Sequence, residues 1–328
     1  MRRWAYPVTR RSALALGGGL VGTVAAATLS ASPGQAAALP GQETSVPQAG
    51  TMDWTPVAQA LGKKGQMMPG GVYRITMPRT DLTVRVKGVL VAPGFALGSY
   101  AAFMQIGSMA MGMGDLVLLD AEVNPVMSGL LAGGLTLGAL HNHLNEVAPH
   151  VMYMHYSGRG DAVQMATALR TALSASGTPL GSAAAKSTAA ATPLDTKGIA
   201  HVLGHPAKVM PAGIVAISAP RGEKITESGM TLPPAIGVAT SLNFQPLGVS
   251  KAAITGDFVL IGREVNPVAR ALRQHGIEVT ALHNHALADD PRLFYMHFFA
   301  TGDVMTLARG LRAGLDQTNS MKPQPLAM

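Results

Sequence analysis

The sequence predicts an α+β protein built from two tandem copies of one unit, each an antiparallel or mixed sheet with helices packed on one face. Three observations predict it. A spacing of 142 residues relates Ala139-Leu140-His141-Asn142-His143 to Ala281-Leu282-His283-Asn284-His285, and Tyr153-Met154-His155 to Tyr295-Met296-His297. The same spacing holds for Gly62 and Gly204, Met68-Pro69 and Met210-Pro211, Pro78 and Pro220, Gly114-Asp115 and Gly256-Asp257, and Asp161 and Asp303. Each copy also closes in the order strand, helix, strand, strand, helix, which suits a sheet covered on one side by helices.

The elements follow in turn. Pro56 to Leu61 and Ile199 to Leu203 read as short opening helices, and Val72 to Thr76 and Ile214 to Ser218 alternate as strands. The middle of each copy, roughly 79 to 113 and 221 to 255, is punctuated by Gly and Pro and reads as β-rich. Leu116 to Leu119 and Phe258 to Ile261 are apolar on both faces, hence buried strands. Asn124-Pro125 and Asn266-Pro267 predict helix starts, since Asn accepts bonds from free N–H groups and Pro suits the first helical position. Gly133-Gly134 and Gly276 end those helices. Leu135 to His143 and Ile277 to His285 follow as strands, with Val151 to Tyr156 and Leu293 to Phe299 as their hairpin partners. In the closing helices, Met165, Ala166, Leu169, Ala172 and Leu173 form one apolar stripe, which Leu307, Ala308, Leu311 and Leu315 repeat. Asp161 and Asp303 cap them.

These readings divide the chain into an export signal (1–38), copy one (53–173), an Ala/Ser/Thr/Gly linker (174–195), copy two (196–317) and a tail (318–328). The length suits two domains of ordinary size, each with its own core. In the amino-terminal segment, Thr9-Arg10-Arg11-Ser12 precedes a Gly- and Ala-rich apolar run from Ala13 to Leu29, with Ala36-Ala37-Ala38 as small residues for cleavage. Paired arginines there suggest the twin-arginine route, and so a periplasmic or extracellular protein, soluble after cleavage and without a stable membrane span.

Of the 25 basic residues, Arg2, Arg3, Arg10 and Arg11 belong to that segment, so the formal charge falls from +7 to +3. This balance gives no reason to expect a nucleic-acid partner. The absence of cysteine excludes disulfides, thiolate metal sites and cysteine nucleophiles.

The histidines carry the chemistry. Six of the ten sit in the repeated pattern. Side chains alternate along a strand, so His141 and His143 share a face, as do His283 and His285. If the neighbouring strand pairs with matching parity, His155 or His297 joins its pair. Two imidazoles at i and i+2 with a third from the next strand form a set that binds a transition metal, zinc first and copper as the alternative. Glu122 and Glu264, each two residues before the Asn-Pro pair, are candidates for a fourth ligand or a general base. Two further readings stay open: a polar site without metal, and histidines that brace the hairpins. Asp115 and Asp257 follow Gly at an expected strand start and read as turn residues. Tyr153 and Tyr295 read as packing, and Met109, Met111 and Met113 as core filling rather than a thioether copper site. No phosphate-binding loop, dinucleotide Gly pattern, G-x-S-x-G elbow or H-E-x-x-H helix is present.

The run G-D-F-V-L-I-G-R-E-V-N-P-V from Gly256, I-E-V-T-A-L-H-N-H from Ile277 and P-R-L-F-Y-M-H-F-F-A from Pro291 resembles the LppY/LpqO family. The N-F-Q-P stretch from Asn243 and the L-R-A-G-L-D-Q-T-N ending from Leu311 are similar to it too. The resemblance covers both copies, is closer in copy two, and weakens in copy one at Leu144 to His150. It implies an exported bacterial protein with a duplicated domain and supplies no activity or catalytic residues. Its lipoprotein members need an anchoring cysteine, which this chain lacks. Three functions follow as expectations: a His-rich site in each half holding a metal ion or small ligand, a metal-dependent hydrolase of the cell envelope, and a structural envelope module.

Overall fold

The computed structural model describes residues 51–181 and 192–321. The export signal expected at 1–38, residues 182–191 of the linker and the end of the tail (322–328) lie outside the described residues. Among the described residues no helix is long and apolar enough to cross a membrane.

Copy one runs α1 (Thr55–Leu61), β1 (Gln66–Met68), β2 (Val72–Pro78), β3 (Val84–Val86), β4 (Val89–Val91), α2 (Pro93–Ala96), β5 (Gly98–Ile106), β6 (Met109–Leu119), α3 (Asp120–Ala132), β7 (Thr136–His141), β8 (Val147–Ala148), β9 (Val151–Gly160) and α4 (Ala162–Leu173). Copy two repeats it as α5 (Thr196–Leu203), β10 (Ala207–Val209), β11 (Val215–Pro220), β12 (Thr226–Glu227), β13 (Met230–Thr231), β14 (Ala239–Gly248), β15 (Lys251–Ile261), α6 (Val265–Gln274), β16 (Glu278–His283), β17 (Asp289–Asp290), β18 (Leu293–Asp303) and α7 (Val304–Leu315). Each copy forms a six-stranded sheet, in the orders β1-β2-β5-β6-β9-β7 and β10-β11-β14-β15-β18-β16, with a three-stranded accessory sheet beside it. Every pairing is antiparallel. The chain is thus an α+β protein of two repeated units.

The central strands are longer than their apolar runs suggest. β6 and β15 extend back through Met109 and Lys251, so Asp115 and Asp257 lie mid-strand rather than in turns. The helix starts also differ from expectation. Asn124 is not an N-cap: α3 begins at Asp120 and Pro125 lies inside it. Glu122 goes with the earlier start, because from the third helical position its Oε2 reaches back to accept the Leu119 N–H at 2.8 Å, as a capping box does. In copy two, Glu264 Oε2 accepts the Ile261 N–H at 3.0 Å. A 3₁₀ turn at Gly262–Glu264 then precedes α6, whose first turn holds Pro267. The closing helices start as expected, with the Asp161 and Asp303 carboxylates accepting the Gln164 and Thr306 N–H groups, both at 2.8 Å.

Each copy has its own core, as expected, and two further cores form between the copies, so the described residues make one compact unit. One face of each sheet packs on its own helices: Ala101, Phe103, Leu116 and Leu118 against Leu130, Leu169 and Leu173 in copy one, and Phe258, Leu260 and Phe298 against Leu272, Leu311 and Leu315 in copy two. The other face meets the other copy. Val72, Ala102, Met111 and Met113 pack against Val259, Ile261, Leu293 and Tyr295. Reciprocally, Val117, Val151 and Tyr153 pack with Ile214, Ala253 and Phe299. Alternation along β5, β6 and β15 delivers successive residues to these two cores. The result is four layers, helices outside and two sheets facing each other inside. Polar bonds also join the copies: Gln245 Oε1 accepts the Ala92 N–H at 2.7 Å, its Nε2 donates to the Leu90 carbonyl at 2.8 Å, and Lys87 pairs with Glu278 at 2.6 Å.

Candidate metal centre

Register places His141 and His155, and His283 and His297, on the inner faces; β7 and β16 end at His141 and His283, earlier than the expected 143 and 285, so His143 and His285 lie just past the strands. In an antiparallel pair, directly opposed residues share a face. Ala139 opposes His155 and His141 opposes Tyr153 in copy one. Ala281 opposes His297 and His283 opposes Tyr295 in copy two. The expected parity therefore holds, despite a register shift between Leu137 and Ala139 and another between Val279 and Ala281.

The two sets meet as one cluster. The His141 and His283 rings stack with centroids 3.4 Å apart, His143 on His297 at 3.7 Å, and His155 on His285 at 3.7 Å. The tyrosines flank the stack: Tyr153 lies 3.4 Å from His143 and Tyr295 3.2 Å from His285. Tyr153 donates to the Ala96 carbonyl at 2.6 Å, which fixes the ring that His143 rests on. Two contacts between the H-N-H loops hold the halves together here. The Thr280 hydroxyl donates to the His143 carbonyl, and Asn284 Nδ2 donates to the Gly138 carbonyl at 3.2 Å. Gly138 stands where Thr280 stands in copy two, and a Cβ there would lie 1.8 Å from the His285 carbonyl oxygen.

Backbone carbonyls set the tautomers. His141 Nδ1 donates to the Asn142 carbonyl at 3.2 Å, His283 Nδ1 to the Asn284 carbonyl at 2.9 Å, and His297 Nδ1 to the Gly256 carbonyl at 2.9 Å. In a neutral ring this leaves Nε2 as a bare lone pair. The Nε2 atoms of His141, His143, His155 and His285 are buried without a hydrogen-bond partner. The Nε2 atoms of His283 and His297 face each other at 2.8 Å.

Burial, joined for His141 by the nearby His283 ring, lowers the His141 pKa to about 3, and burial lowers that of His283 to about 4. The other four are held well below 6.5 by burial and neighbouring imidazoles. The rings are therefore neutral at pH 7 and offer lone pairs. Two sets of ligand atoms lie within 4.8 Å of one another: His141, His143, His155 and His283, and His283, His285 and His297. A metal–nitrogen bond of about 2.0–2.1 Å places neighbouring ligand nitrogens roughly 3 Å apart; the His283 and His297 Nε2 atoms match this at 2.8 Å, and the other donors in each set lie within 4.8 Å, an arrangement that would close around a zinc-sized ion.

Glu122 and Glu264 do not join the rings. Each forks a buried arginine: Glu122 with Arg79 at 2.6 and 3.1 Å, Glu264 with Arg221 at 2.8 and 3.0 Å. They also accept the Gly177 and Asn319 N–H groups, at 2.7 and 2.9 Å. Burial alone would raise the Glu122 carboxyl, but Arg79 and the Gly177 and Leu119 N–H groups hold it below its ordinary value. These carboxylates brace the sheet ends, and with no oxygen turned to the histidines neither is placed as fourth ligand or general base.

Asp115 and Asp257 stand where the glutamates were expected. Asp115 opposes His155 across β6 and β9, and Asp257 opposes His297 across β15 and β18. Asp115 oxygens lie 3.8 Å from His143 Nε2 and 3.9 Å from His155 Nε2, and Oδ1 has no hydrogen-bond partner. Burial, with Asp257 nearby, raises the Asp115 carboxyl well above its usual range, and burial pushes Asp257 up to about 7. The recurring Gly-Asp pair was visible in the sequence; what concealed its role was the true length of the strands. Both aspartates line a cavity of about 400 Å³ between the sheets, together with His143, His285 and His297.

Comparison with known proteins adds a family and little else. No curated protein matches the chain. Among solved structures, the trimeric bacterial microcompartment shell protein PduB is similar at 12% identity and a TM-score of 0.23, over 81% of this chain and 99% of that one. EtuB from Clostridium kluyveri is similar at 8% identity and a TM-score of 0.18, over 77% of this chain and 91% of that one. Likeness at that level carries no argument about function. A family model described as Domain of Unknown Function (DUF1259) matches residues 55–175 and again 197–317. The chain therefore belongs to that domain family and carries its domain twice.

Proposed function

We propose that the six-histidine cluster binds a transition metal ion, zinc first and copper as the alternative, at a single centre shared by both halves. One observation carries the reading. His283 and His297 turn Nε2 lone pairs toward each other at 2.8 Å while their Nδ1 atoms are committed to backbone carbonyls. Two such lone pairs repel unless a cation lies between them, and neutral imidazoles in a polar, buried cluster favour a metal. The four further Nε2 atoms without partners point the same way. Metal analysis of the purified protein tests it: one or two equivalents of transition metal are expected, lost in a folded His283→Ala/His297→Ala variant. A metal-free wild type that resists loading refutes it.

A second reading, metal-dependent hydrolysis, is favoured by Asp115. A metal held by these rings supplies Lewis acidity. The raised carboxyl of Asp115, with Oδ1 unpartnered beside His143 and His155, can hold or deliver a proton there. Ester, phosphoester and amide screening of wild type against Asp115→Asn tests it. Equal turnover in both proteins refutes that role.

We also propose that the protein is exported by the twin-arginine route as a soluble member of the LppY/LpqO group. The support is the Arg10-Arg11 pair before the apolar run and the motifs around the second H-N-H. Fractionation with and without Arg10→Lys/Arg11→Lys tests export, and unchanged delivery refutes the route.

A further inference from the structure

The two halves agree in their histidines and aspartates and disagree in what faces them. Opposite Asp115, across β5 and β6, stands Tyr100; opposite Asp257, across β14 and β15, stands Ser241. Arg74 lies over Tyr100, its guanidinium carbon 3.6 Å from the ring centroid. The 142-residue spacing puts Ala216 in its place in copy two. The cavity therefore has one cationic corner, from Arg74, and a wall of short polar side chains from copy two, Ser218, Ser241 and Asn243. It opens to solvent past the exposed Gly98, Pro234 and Ser218.

Arg74 forms no close ion pair among the described residues: its Nη1 donates to the Ala235 carbonyl at 3.1 Å and it bonds Tyr100, while its charge draws the Asp115 and Asp257 carboxyls down against the effect of burial. Cation–π stacking fixes the plane of the guanidinium on the cavity wall, a planar donor suited to an oxyanion. Charge counting agrees. Imidazole ligands cancel none of a metal's charge. Even with both aspartates ionised, one divalent ion and Arg74 leave the wall at about +1.

We infer that this cavity takes a small oxyanion, a carboxylate or phosphate group, anchored by Arg74 and presented to the histidine centre. The inference rests on the metal reading for its charge balance and on Arg74 for its geometry, and the two can be tested apart.

Inorganic phosphate and acetate are titrated by calorimetry into metal-loaded and metal-free protein, with metal content measured on the same samples. The variants are Arg74→Gln, Arg74→Lys to retain the charge if the first fails to fold, and Arg85→Gln as a control, since Arg85 bonds only the nearby Gly88 carbonyl. Saturable binding of at least one anion is expected, weakened tenfold or more in Arg74→Gln, by less in Arg74→Lys, and unchanged in Arg85→Gln. Which anion binds tighter separates a phosphate from a carboxylate guest. Full metal content with no anion binding overturns the cavity proposal and leaves the metal centre standing. Absence of metal overturns the metal reading, while Arg74-dependent binding to the metal-free protein still supports the cavity. Binding unaffected by either Arg74 variant, or none in any form, overturns it.

Discussion

Acidification should destabilise the metal-free protein through its buried histidines. The His141 pKa falls from 6.5 to about 3 and that of His283 from 6.5 to about 4 on folding. The unfolded chain binds protons at these sites below pH 6.5; the folded chain refuses them until pH 4 or 3. These histidines therefore lower stability as pH drops through this window, because the unfolded state holds more protons on them, while Asp115 and Asp257, whose carboxyls are raised on folding, act in the opposite sense. At pH 5 each unfolded imidazole lies about 1.5 units below its pKa, which costs the fold about 2 kcal/mol per histidine. The two together cost about 4 kcal/mol, and the other four shift in the same direction. Domains of this kind hold roughly 5–15 kcal/mol in total. Urea denaturation at pH 7 and pH 5, in chelator, measures the loss directly. A His141→Gln/His283→Gln variant should lose about 4 kcal/mol less than wild type between those pH values. Equal pH dependence in the two proteins would refute the claim that these rings are buried neutral.

Other outcomes follow from the same geometry. Zinc added at pH 5 should recover much of the stability lost there, since an ion that binds only the folded state stabilises it; an unchanged denaturation midpoint would count against a preformed centre. Gly138→Ala should cost about 1–3 kcal/mol and weaken metal retention, because the new Cβ would lie 1.8 Å from the His285 carbonyl oxygen; dialysis against a chelator reads the second effect. Glu264→Ala should destabilise by roughly 1–3 kcal/mol, since the buried Arg221 guanidinium loses one of its two carboxylates and keeps Glu223 at 2.8 Å, while the folded protein keeps its metal. Loss of metal from folded Glu264→Ala would return that residue to the centre.

Much of the layout could be read from the residues. Equal spacing of two histidine motifs declares a duplication, and strand alternation puts His283 on the face it shares with Ala281, though β16 ends there and His285 reaches the cluster from the loop beyond. Three things were beyond that reasoning. Apolar periodicity marks β6 as a buried strand only from Leu116 onward, because the glycines of the preceding Met-Gly-Met-Gly stretch read as punctuation; that reading puts Asp115 in a turn. The Asn-Pro pairs look like caps, and only the long reach of Arg79 to Glu122, 43 residues apart, shows why the helix starts earlier. Last, that the halves share one centre depends on face-to-face docking of two sheets, and contacts between distant segments leave no local pattern in a sequence.

That docking has a consequence for descent. Each half presents to its sister the apolar surface that a lone domain would have to shield by finding a twin, and the rings meet where a twofold axis would run. A protein with a single domain of this type would do the same work as a symmetric homodimer. Joining both on one polypeptide releases the two from identity, so one can acquire an Arg74 while the other keeps an Ala216. Fusion converts a symmetric cleft into one with a left and a right side, able to hold an unsymmetrical guest in a single orientation.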